Sequence, residues 1–515
     1  MKISRRRAVG ALAASGLAST LQGVGPELPP GIEQEKTPFK GTRESLAGYV
    51  IPEWFRDAKF GIWSHWGPQS AVEAGDWYAR NMYMEGSDQY NYHVETYGHP
   101  SRFGFKDTIP AWKAERWQPD ELMRLYKQAG AKYFFSMGVH HDNFDLWNSK
   151  HQSWNSVKMG PKKDVVGLWQ RAAQNEGLKF GVSEHLWITY KWFSTSHGRD
   201  ATGPLAGVPY DGANPKNFDF YVDSDEVHNK LEWNESGIPE WWKMHWYARI
   251  KDLVDQYRPD LLYTDGALPF EDDGLNLVAR HYNLSADKNG GTAQTVYFSK
   301  RPEDTTKGIA TLDVERGIVD LIWPRPWQTD TCIGDWHYKR GVKYKTPKTV
   351  VDLLVDVVSR NGNLLLNFPL PASGELDFEE RAVLAGITRW MSVNAEAIHG
   401  TRPWKIFGES KMAPQASKSA SAFNEKDRQD LTASDIRFTT KGGVLYAFVM
   451  GWPDYQAVIA PLASGTALRV GKIQKLELLG YEGQLQWTQN ELGLNILMPA
   501  KKPSEYAVAF KIFGA

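Results

Sequence analysis

Short apolar runs alternate with longer amphipathic runs between about residues 40 and 390 of the chain. The short runs are rich in β-branched and aromatic residues, which is typical of strands, and the longer runs repeat apolar positions at helical spacing. The short runs predict strands over residues 59–67, 132–142, 178–186, 261–264, 295–300, 308–317 and 363–370. The longer runs predict helices over residues 119–131, 164–177, 241–260 and 347–362. Repeated helix–strand units of this kind favour an α/β fold with a parallel sheet.

Polar residues stand at the carboxyl ends of nearly all these predicted strands. His, Asp or Glu follows the apolar part in "SHWG", "VHHD", "SEHL" and "LLYTDG". In a (β/α)8 barrel the carboxyl ends of the strands form the active-site face, whereas a doubly wound open sheet places its ligand at one crevice. The pattern therefore favours a (β/α)8 (TIM-like) barrel over residues 40–393, with the doubly wound sheet as the alternative.

The pattern changes after about residue 395. Residues 435–450, 456–461 and 504–512 read as short strands interrupted by Gly pairs and polar turns, and no long helical run is visible. Short strands joined by tight turns are typical of antiparallel sheets. Residues 400–515 are therefore predicted to form a C-terminal antiparallel β-sandwich.

The first 30 residues have the pattern of an export signal. A cluster of three arginines, residues 5–7, precedes a weakly apolar, Ala/Gly-rich run that ends in small residues. Consecutive arginines before such a run resemble a twin-arginine signal, which exports a protein that has already folded. We expect export to the bacterial periplasm or beyond; the alternative is a basic leader with no sorting role. No other segment has the ~18 uninterrupted apolar residues of a membrane span.

The amino-acid composition limits the classes of partner that are expected. The 60 Lys and Arg residues balance 61 Asp and Glu residues, so the charge does not favour binding to nucleic acid or to an anionic membrane. Aromatic residues make up 13% of the chain, and their flat faces suit stacking on sugar rings, although an aromatic core is an equal alternative. The single cysteine, Cys332, excludes an intramolecular disulfide and is interpreted as a small buried hydrophobe rather than a nucleophile.

Two carboxylates at predicted strand ends suggest glycoside hydrolysis. Asp265 ends the stretch "LLYTDG", and Glu315 lies in "TLDVERG". Glycosidases use two carboxyl groups, one as nucleophile or base and the other as the acid that protonates the leaving oxygen. Strand alternation places Asp313 and Glu315 on the same side of their strand, so both acids can face the barrel interior. A structural hydrogen-bonding role is the alternative for either acid.

Four histidines accompany these acids at strand ends: His65, His140, His141 and His185. Imidazole is a common metal ligand, but the HxH and HExxH spacings of metal sites are absent from the sequence. A neutral imidazole donates at one nitrogen and accepts at the other, which suits the hydroxyl groups of a sugar. Sugar contact is the preferred interpretation, and metal binding or a structural role is the alternative. We predict no metal and no cofactor.

The order of these motifs resembles the α-L-fucosidases of glycoside hydrolase family 29. The similarity covers about residues 45–395 and is carried by "GIWSHWGPQS", "DWYARNMY", "KYFFSMGVHHDNFDLW", "RPDLLYTDG" and "DVVSRNGNLLLNFP". The resemblance implies a retaining enzyme with a (β/α)8 catalytic domain and a C-terminal β-sandwich. It also implies a substrate, a fucosylated oligosaccharide or glycan.

The resemblance implies roles for individual acids. Asp265, in the "PDLLYTDG" motif, matches the family nucleophile. Glu315, in the sequence Asp-Val-Glu-Arg-Gly, matches the general acid/base of some relatives. Other relatives carry that glutamate after the Trp of a "PWE" block, where this chain has Gln328, which cannot donate a proton and recover it. Asp313 and Asp330 are the weaker candidates for the acid.

The predicted substrate contacts are His65, His140, His141, His185, Trp77 and Trp327. The first three match family positions that hold the fucose hydroxyls, Trp77 matches an aromatic residue beside the sugar, and His185 matches a residue of only some relatives. The Gly/Pro-rich stretch 194–239 is predicted to shape the side of the site that receives the leaving group. Arg316 is expected to point away from Glu315, because a nearby cation would oppose a raised pKa.

Three other functions remain open from the residues. The first is α-L-galactoside hydrolysis by the same mechanism, since L-galactose differs from L-fucose only by a hydroxyl group on the sixth carbon. The second is carbohydrate binding without catalysis. The third is a metallohydrolase built on the histidines.

Overall fold

The computed structural model describes residues 38–222, 224, 226–410, 423–468 and 470–515. The predicted export signal, residues 1–30, lies outside the described residues. Among the helices within these ranges, none has the length and apolar character that a bilayer crossing requires.

Eight parallel strands close into a barrel in chain order, with β8 paired to β1. The strands are β1 Phe60–Ser64, β2 Tyr133–Val139, β3 Lys179–Glu184, β4 Leu261–Thr264, β5 Val296–Ser299, β6 Thr311–Asp313, β7 Trp327–Cys332 and β8 Gly362–Asn367. Their inward side chains fill the barrel with a mainly aromatic core that includes Trp63, Tyr133, Phe135, Tyr263 and Phe298. The barrel is therefore packed below its mouth, and ligands can enter only from the ends of the strands.

The α-helices of the described chain are α1 Arg43–Leu46, α2 Glu53–Ala58, α3 Tyr78–Asn81, α4 Asp88–Tyr97, α5 Phe105–Thr108, α6 Pro119–Gln128, α7 Val165–Asn175, α8 Thr189–Trp192, α9 Phe218–Tyr221, α10 Glu240–Tyr257, α11 Asp272–Ala286, α12 Pro302–Thr306, α13 Pro347–Ser359 and α14 Phe378–Asn394. Local signals set the helix starts. Helix α13 begins after Thr346, whose hydroxyl accepts a hydrogen bond from Thr349 N–H, and Pro347 occupies its first position.

The connection from β6 to β7 departs from the regular β/α alternation. Residues 314–326 join the two strands without an α-helix, and the preceding connection contains only the short helix α12. Pro324 and Pro326 lie in this stretch, and neither can continue a helix because proline lacks the backbone donor. The connection instead forms an irregular loop that carries Glu315 at the barrel mouth.

The C-terminal strands form two antiparallel sheets that pack face to face. The larger sheet has the order β13-β16-β11-β10-β9 and the smaller one the order β12-β15-β14. The strands are β9 Arg402–Glu409, β10 Ile436–Lys441, β11 Val444–Val449, β12 Gln456–Ile459, β13 Lys475–Leu478, β14 Trp487–Asn490, β15 Gly493–Leu497 and β16 Val508–Phe513. One apolar core joins both sheets, including Phe438, Leu445, Ile459, Leu494 and Ile496. Strands β9 and β10 also pack against α13 of the barrel.

The fold confirms the predicted barrel followed by a β-sandwich, although several individual elements were not predicted. The predicted strand 261–264 coincides with β4, and the four predicted helices are present as α6, α7, α10 and α13. Strand β7 was not predicted because its sequence, "WQTDTC", alternates with polar residues and lacks an apolar run. Helices α11 and α14 and strands β9, β13, β14 and β15 were also missed.

Candidate active site

The barrel mouth contains a cavity of about 390 Å³, which is large enough for a monosaccharide. Its lining comes from the ends of six strands, β1 to β4, β6 and β7, from the loops that follow them and from Phe423. The polar lining residues are His65, Asp76, His140, His141, His185, Asp265, Glu315, Arg316, Asp330 and Asp335. The barrel therefore brings both predicted catalytic acids and all four predicted histidines into one cavity.

Asp265 follows directly after β4, and hydrogen bonds fix both its backbone N–H and its carbonyl. Its backbone N–H donates to Glu184 O at 3.1 Å, and its carbonyl accepts from Trp187 Nε1 at 2.6 Å. Its Oδ2 lies 3.5 Å from His141 Nε2 and 3.4 Å from His185 Nδ1. The fixed backbone leaves the carboxylate aimed at the cavity, where a nucleophile must stand.

Lys300, directly after β5, lies between the two predicted catalytic acids. Its Nζ donates to Asp265 Oδ1 at 2.6 Å and to Glu315 Oε2 at 2.5 Å. The separation of these two oxygens cannot exceed the sum of the two distances, about 5.1 Å. Carboxyl groups that act as nucleophile and acid in retaining glycosidases are roughly 5–5.5 Å apart, against roughly 6.5–9.5 Å in inverting enzymes. The geometry therefore lies at the retaining end of this range.

Burial and charge shift the pKa values of these three groups in different directions. Burial alone would raise the pKa of Asp265, but the charge of Lys300 and hydrogen bonds from His141 and His185 hold it well below its usual range. Burial raises the pKa of Glu315 to about 7; nearby carboxylates add to the rise, and Lys300 opposes it. Burial would lower the pKa of Lys300, but the surrounding carboxylates hold it well above its usual range. The two acids therefore titrate apart, with Glu315 the higher, as a nucleophile and a general acid require.

Asp313 and Asp330, the weaker candidates for the acid, lie deeper in the barrel. Asp313 ends β6 and accepts a hydrogen bond from Gln328 Nε2 at 2.8 Å. Asp330 reaches the floor of the cavity and accepts from Tyr263 OH at 3.0 Å. These two residues are 2% and 1% exposed, whereas the Glu315 side chain is 18% exposed. Access to a substrate therefore favours Glu315.

The four histidines form one contiguous cluster at the ends of β1, β2 and β3. Neighbouring ring centroids lie 4.6–5.4 Å apart. Burial lowers the pKa of His65, His140 and His185, so these three rings are neutral at neutral pH. A neutral ring offers one donor and one acceptor, which is the pairing that a sugar hydroxyl needs.

Hydrogen bonds fix some of these rings and leave others available. His140 Nδ1 lies 2.8 Å from the Gln69 amide nitrogen, a donor, which leaves His140 Nε2 as the ring's own donor. His141 Nδ1 donates to His185 O at 2.5 Å. Both buried nitrogens of His65 lack a hydrogen-bond partner within the described part of the chain. Because unpaired buried polar atoms are rare and costly, His65 is suited to hydrogen-bond a ligand hydroxyl.

Aromatic side chains form the walls of the cavity: Trp63, Trp77, Trp233, Tyr263, Trp336 and Phe423. Trp77 has a φ of +62°, uncommon for a bulky residue, and its carbonyl accepts hydrogen bonds from the first turn of α3. Trp233, in the stretch predicted to face the leaving group, is half exposed. The walls provide apolar faces on which a sugar ring can stack.

The structure does not bring Trp327 to the cavity. Trp327 begins β7, at the end of the strand opposite the mouth, and is fully buried. Its Nε1 donates to Arg360 O at 3.0 Å, and its ring packs against Gly362, where a Cβ would lie only 2.6 Å away. This corrects the assignment of Trp327 as a substrate contact, because the polar part of β7 that reaches the cavity is Asp330.

Two expectations about neighbouring side chains are met. The guanidinium of Arg316 is directed to Cys332, donating to its Sγ at 2.8 Å, and stacks over Trp336 at 5.1 Å. Cys332 is fully buried, and burial raises the pKa of its thiol to about 12. A thiol of this kind is a poor nucleophile, because the thiolate is the reactive form.

Sequence reasoning missed Lys300, His337 and Phe423, and it assigned no role to Asp76, the residue before Trp77. Lys300 ends a predicted strand, the position that the acids occupy, so a search that included cations would have found it. Asp76 Oδ1 accepts from His337 Nδ1 at 2.6 Å and lies 3.9 Å from His65 Nε2. His337 and Phe423 come from loops distant in sequence, and no local pattern indicates their position.

Within the described part of the chain, two groups of donor atoms are close enough to hold a metal ion, with the atoms of each group within 4.8 Å of one another: His65, Asp76, His140 and His337, and His140, His141 and His185. Imidazole nitrogens, joined by one carboxylate in the first group, are typical ligands of a transition-metal site. The same atoms are those that face the cavity, so a metal and a sugar would compete for them.

Comparison with known proteins places this site in a family. A sequence model of the α-L-fucosidases matches residues 29–396, and a model of the α-L-fucosidase C-terminal domain matches residues 428–513. The tissue α-L-fucosidase of Bos taurus is 26% identical over 492 residues, which cover 91% of this chain and 90% of that protein. The plasma α-L-fucosidase of Homo sapiens is 27% identical over 480 residues, which cover 90% and 89% of the two chains.

Solved structures agree. The chain is similar to the crystal structure of Thermotoga maritima α-fucosidase in complex with fucose, with a TM-score of 0.68 and 26% identity over 92% of this chain and 99% of that chain. A structure of Thermotoga maritima α-fucosidase in complex with a mechanism-based inhibitor gives a TM-score of 0.69 at 25% identity, with the same coverage. The similarity extends over both the barrel and the β-sandwich.

Proposed function

The chain belongs to the α-L-fucosidase family of glycoside hydrolases, and we propose that it releases α-L-fucose from fucosylated oligosaccharides or glycans by a retaining double displacement. The α-L-fucosidase activity itself follows from the family; the mechanism and the residues that perform it are the proposal. One observation supports it above the others: Asp265 after β4 and Glu315 after β6 both accept a hydrogen bond from Lys300 Nζ, at 2.6 and 2.5 Å, so the two accepting oxygens are at most about 5.1 Å apart, and the two carboxyl groups have opposite pKa shifts.

In the first step Asp265 acts as the nucleophile. One of its carboxylate oxygens attacks the anomeric carbon of the fucoside, and the bond from that carbon to the leaving oxygen breaks. Glu315 donates its proton to the leaving oxygen, which departs as an alcohol. The products are a fucosyl ester of Asp265 and an ionised Glu315.

In the second step Glu315 acts as the base. It removes a proton from a water molecule, whose oxygen attacks the anomeric carbon and displaces the Asp265 carboxylate. Two inversions leave fucose with its original anomeric configuration, and both acids return to their starting protonation states.

The cation of Lys300 lowers the pKa of both proposed catalytic acids. It keeps Asp265 ionised at any pH near neutrality, and it prevents the pKa of Glu315 from rising further. Its Nζ stands between the two carboxyl groups that must flank the glycosidic bond, so it has to swing aside when a fucoside enters. The flexible four-carbon lysine stem allows that movement.

The histidine cluster and the tryptophan walls bind the sugar. His65, His140 and His141 lie around the cavity at spacings that suit separate hydroxyl groups of one pyranose, and Trp77 provides a flat face beside it. Neutral imidazoles serve this role better than charged ones, because they can accept a hydrogen bond as well as donate one.

The stereochemical outcome tests the mechanism. Purified protein is mixed with an aryl α-L-fucoside, and proton NMR follows the first anomer of fucose before mutarotation. The α-anomer is expected; first formation of the β-anomer would contradict the double displacement, and no hydrolysis would contradict the activity. The matching aryl α-L-galactoside distinguishes the galactosidase alternative, which requires that it be cleaved faster than the fucoside.

A metallohydrolase is the second candidate, because the histidine groups have metal-ligand spacing. Prolonged treatment with a strong chelator, followed by metal analysis, separates the two. The proposal expects full hydrolysis of the fucoside after the treatment, whereas a metal-dependent enzyme would lose activity and regain it when zinc is added.

We also propose that residues 1–30 are an export signal and that the barrel and sandwich domains occupy residues 40–393 and 400–515. Replacing Arg6 and Arg7 by lysine is expected to keep the protein in the cytoplasm of a bacterial host, as measured by fractionation. Unchanged export of this variant would contradict the twin-arginine route.

A further inference from the structure

A segment between β9 and β10 of the sandwich reaches back to the barrel mouth. We call residues 423–431 the strap. Its first residue, Phe423, lines the active-site cavity together with Glu315 and Trp336. A part of the chain that belongs in sequence to the C-terminal domain therefore forms one wall of the site.

The strap is bonded directly to the loop that carries Glu315. Phe423 N–H donates to Glu315 O at 2.8 Å, and Glu425 N–H donates to Arg316 O at 3.0 Å. The Asn424 side chain makes two further bonds, accepting from Ile318 N–H at 3.1 Å and donating to Ile318 O at 3.0 Å. Four hydrogen bonds thus fix the backbone from Glu315 to Ile318, at and directly after the proposed acid/base.

The strap is also anchored on the barrel behind the site. Glu425 accepts from Thr331 Oγ1 at 2.6 Å and pairs with Lys345 Nζ at 2.9 Å. Farther along, Leu431 N–H donates to Asp352 Oδ2 at 2.8 Å, and Asp352 lies on α13. Both ends of the strap are therefore attached to the barrel, so Phe423 is held in place.

The position of Phe423 defines which part of a substrate it meets. In the proposed reaction Glu315 protonates the leaving oxygen, so the group attached to that oxygen lies on the Glu315 side of the cavity. Phe423 is bonded to Glu315 through the backbone, and its side chain is 54% exposed beside Trp336. An exposed aromatic face at this place suits the apolar face of a sugar ring.

We propose that the strap completes the leaving-group subsite, with Phe423 stacking on the leaving sugar and Asn424 holding the Glu315 loop in position. The inference rests on the proposed fucosidase mechanism and deepens it by assigning a substrate class: a fucoside whose leaving group is itself a pyranose. Phe423 is a binding residue here, and Asn424 is a positioning residue that acts through Glu315.

Two substrates measured side by side test Phe423. α-L-Fucosyl fluoride has no leaving sugar, and the disaccharide is whichever of the α-1,2, α-1,3, α-1,4 and α-1,6 fucosyl disaccharides the wild-type protein hydrolyses fastest. In Phe423→Ala the ratio of kcat/KM for the disaccharide to kcat/KM for the fluoride is expected to fall roughly 3- to 10-fold. Phe423→Leu is expected to lower it similarly, because leucine keeps the apolar volume and loses the flat face, and Phe423→Tyr is expected to restore it.

Controls separate this effect from a general loss of fold. Phe378 is 86% exposed at the start of α14, away from the cavity lining, and Phe378→Ala is expected to leave the ratio unchanged. An unchanged ratio in Phe423→Ala, or an equal fall in Phe378→Ala, would overturn the inference. Failure of the wild-type protein to hydrolyse either the fluoride or an aryl fucoside would instead contradict the fucosidase mechanism, and the inference with it.

Leaving-group dependence tests Asn424. A displaced Glu315 donates its proton less effectively, so Asn424→Ala is expected to slow aryl fucosides with poor leaving groups about tenfold more than those with good ones. The alkaline limb of its pH profile should move as well, because the surroundings of Glu315 change. Asn495→Ala, which removes hydrogen bonds within the sandwich alone, is the control. The same loss for every leaving group, with an unmoved pH limb, would reject the positioning role.

Discussion

Two clusters of buried charge, one at the barrel mouth and one between the barrel and the sandwich, both pair carboxylates with cationic side chains. Only the cluster at the mouth contains a carboxyl group close to its protonated form at neutral pH. At the domain contact, Asp356 of α13 is fully buried and accepts hydrogen bonds from Arg360, Arg428 and Arg437. Burial alone would raise its pKa, but the three arginines hold it well below the usual range. The Asp356 carboxylate is therefore ionised and does not readily take up a proton.

At the mouth the ratio of charges is reversed. One cation, Lys300, faces two close carboxyl groups, Asp265 and Glu315. A single positive charge can offset the negative charge of only one carboxylate, so the pKa of Asp265 falls while that of Glu315 rises to about 7. The mouth also opens to solvent, whereas the domain contact is closed.

The comparison shows that the ratio of cations to carboxylates decides whether a buried acid is structural or reactive. An excess of cations fixes a carboxylate in its ionised form and ties two domains together. A deficit of cations leaves one acid close to neutral pH, which is the state that proton transfer needs.

Replacing Asp265 by Ala is expected to abolish catalysis with the fold intact. Without the nucleophile, turnover of an aryl α-L-fucoside should fall by several orders of magnitude. Initial rates and a thermal melt measured on the same preparation check this. Asp287→Ala, far from the mouth on the exposed end of α11, is the control. Wild-type-like turnover in Asp265→Ala would end the assignment of the nucleophile.

Replacing Glu315 by Ala is expected to slow poor leaving groups far more than good ones. General acid catalysis contributes roughly 10²–10⁴-fold, and a good leaving group departs with little help from a proton. Rates for a series of aryl fucosides check this, and added azide should partly restore turnover of the good leaving groups by attacking the fucosyl ester. Asp313→Asn is the matched control. Equal losses across the series would point to Asp313 or Asp330 as the acid.

Replacing Asp356 by Asn is expected to reduce stability without changing the chemistry. Removing one partner of a buried ion pair costs about 3–5 kcal/mol, and here three arginines lose their common partner. Urea unfolding measures the loss, and kcat at 25 °C should be preserved in molecules that remain folded. The surface pair Lys127–Glu176 offers the control, since Glu176→Gln should change the free energy of unfolding by about 1 kcal/mol or less. Similar losses of unfolding free energy in both variants would show that the arginine cluster does not hold the two domains together.

Replacing Lys300 by Met is expected to shift the pH profile upward. The cation lowers the pKa of both acids, so its loss raises both values. The acid limb of kcat/KM, set by Asp265, and the alkaline limb, near pH 7 and set by Glu315, should both move to higher pH, by roughly 1–3 units. Lys179→Met, which removes a half-exposed pair with Asp260, should leave the profile unmoved. A shift to lower pH would contradict the assigned charge balance.

Much of the site could be predicted because its residues directly follow strands. His65, His140, His185 and Asp265 each stand one residue after a strand that is recognisable by its apolar run. The barrel topology then requires such residues to meet at one mouth. Trp327 shows the limit of this reasoning. It belongs to a recognisable sequence block, but it is the first residue of β7 and is therefore buried at the end of the barrel opposite the mouth.

Partners that come from elsewhere could not be predicted in this way. Nothing near Phe423 in the sequence indicates that its backbone bonds to Glu315, more than 100 residues earlier. The same holds for Arg428 and Arg437, which meet Asp356 across the domain contact. These contacts depend on how the sandwich packs on α13, which no local pattern records.

The sequence by itself determined the order of strands and helices, the barrel and sandwich, and the chemical groups at the strand ends, because hydrophobic periodicity and chain order fix these locally. The tertiary structure alone decided that burial and charge move the pKa values of Asp265 and Glu315 apart, and that the segment beginning at Phe423 lies beside Glu315. Those properties depend on distances of a few ångströms between residues far apart in the chain, and on the water excluded from around them.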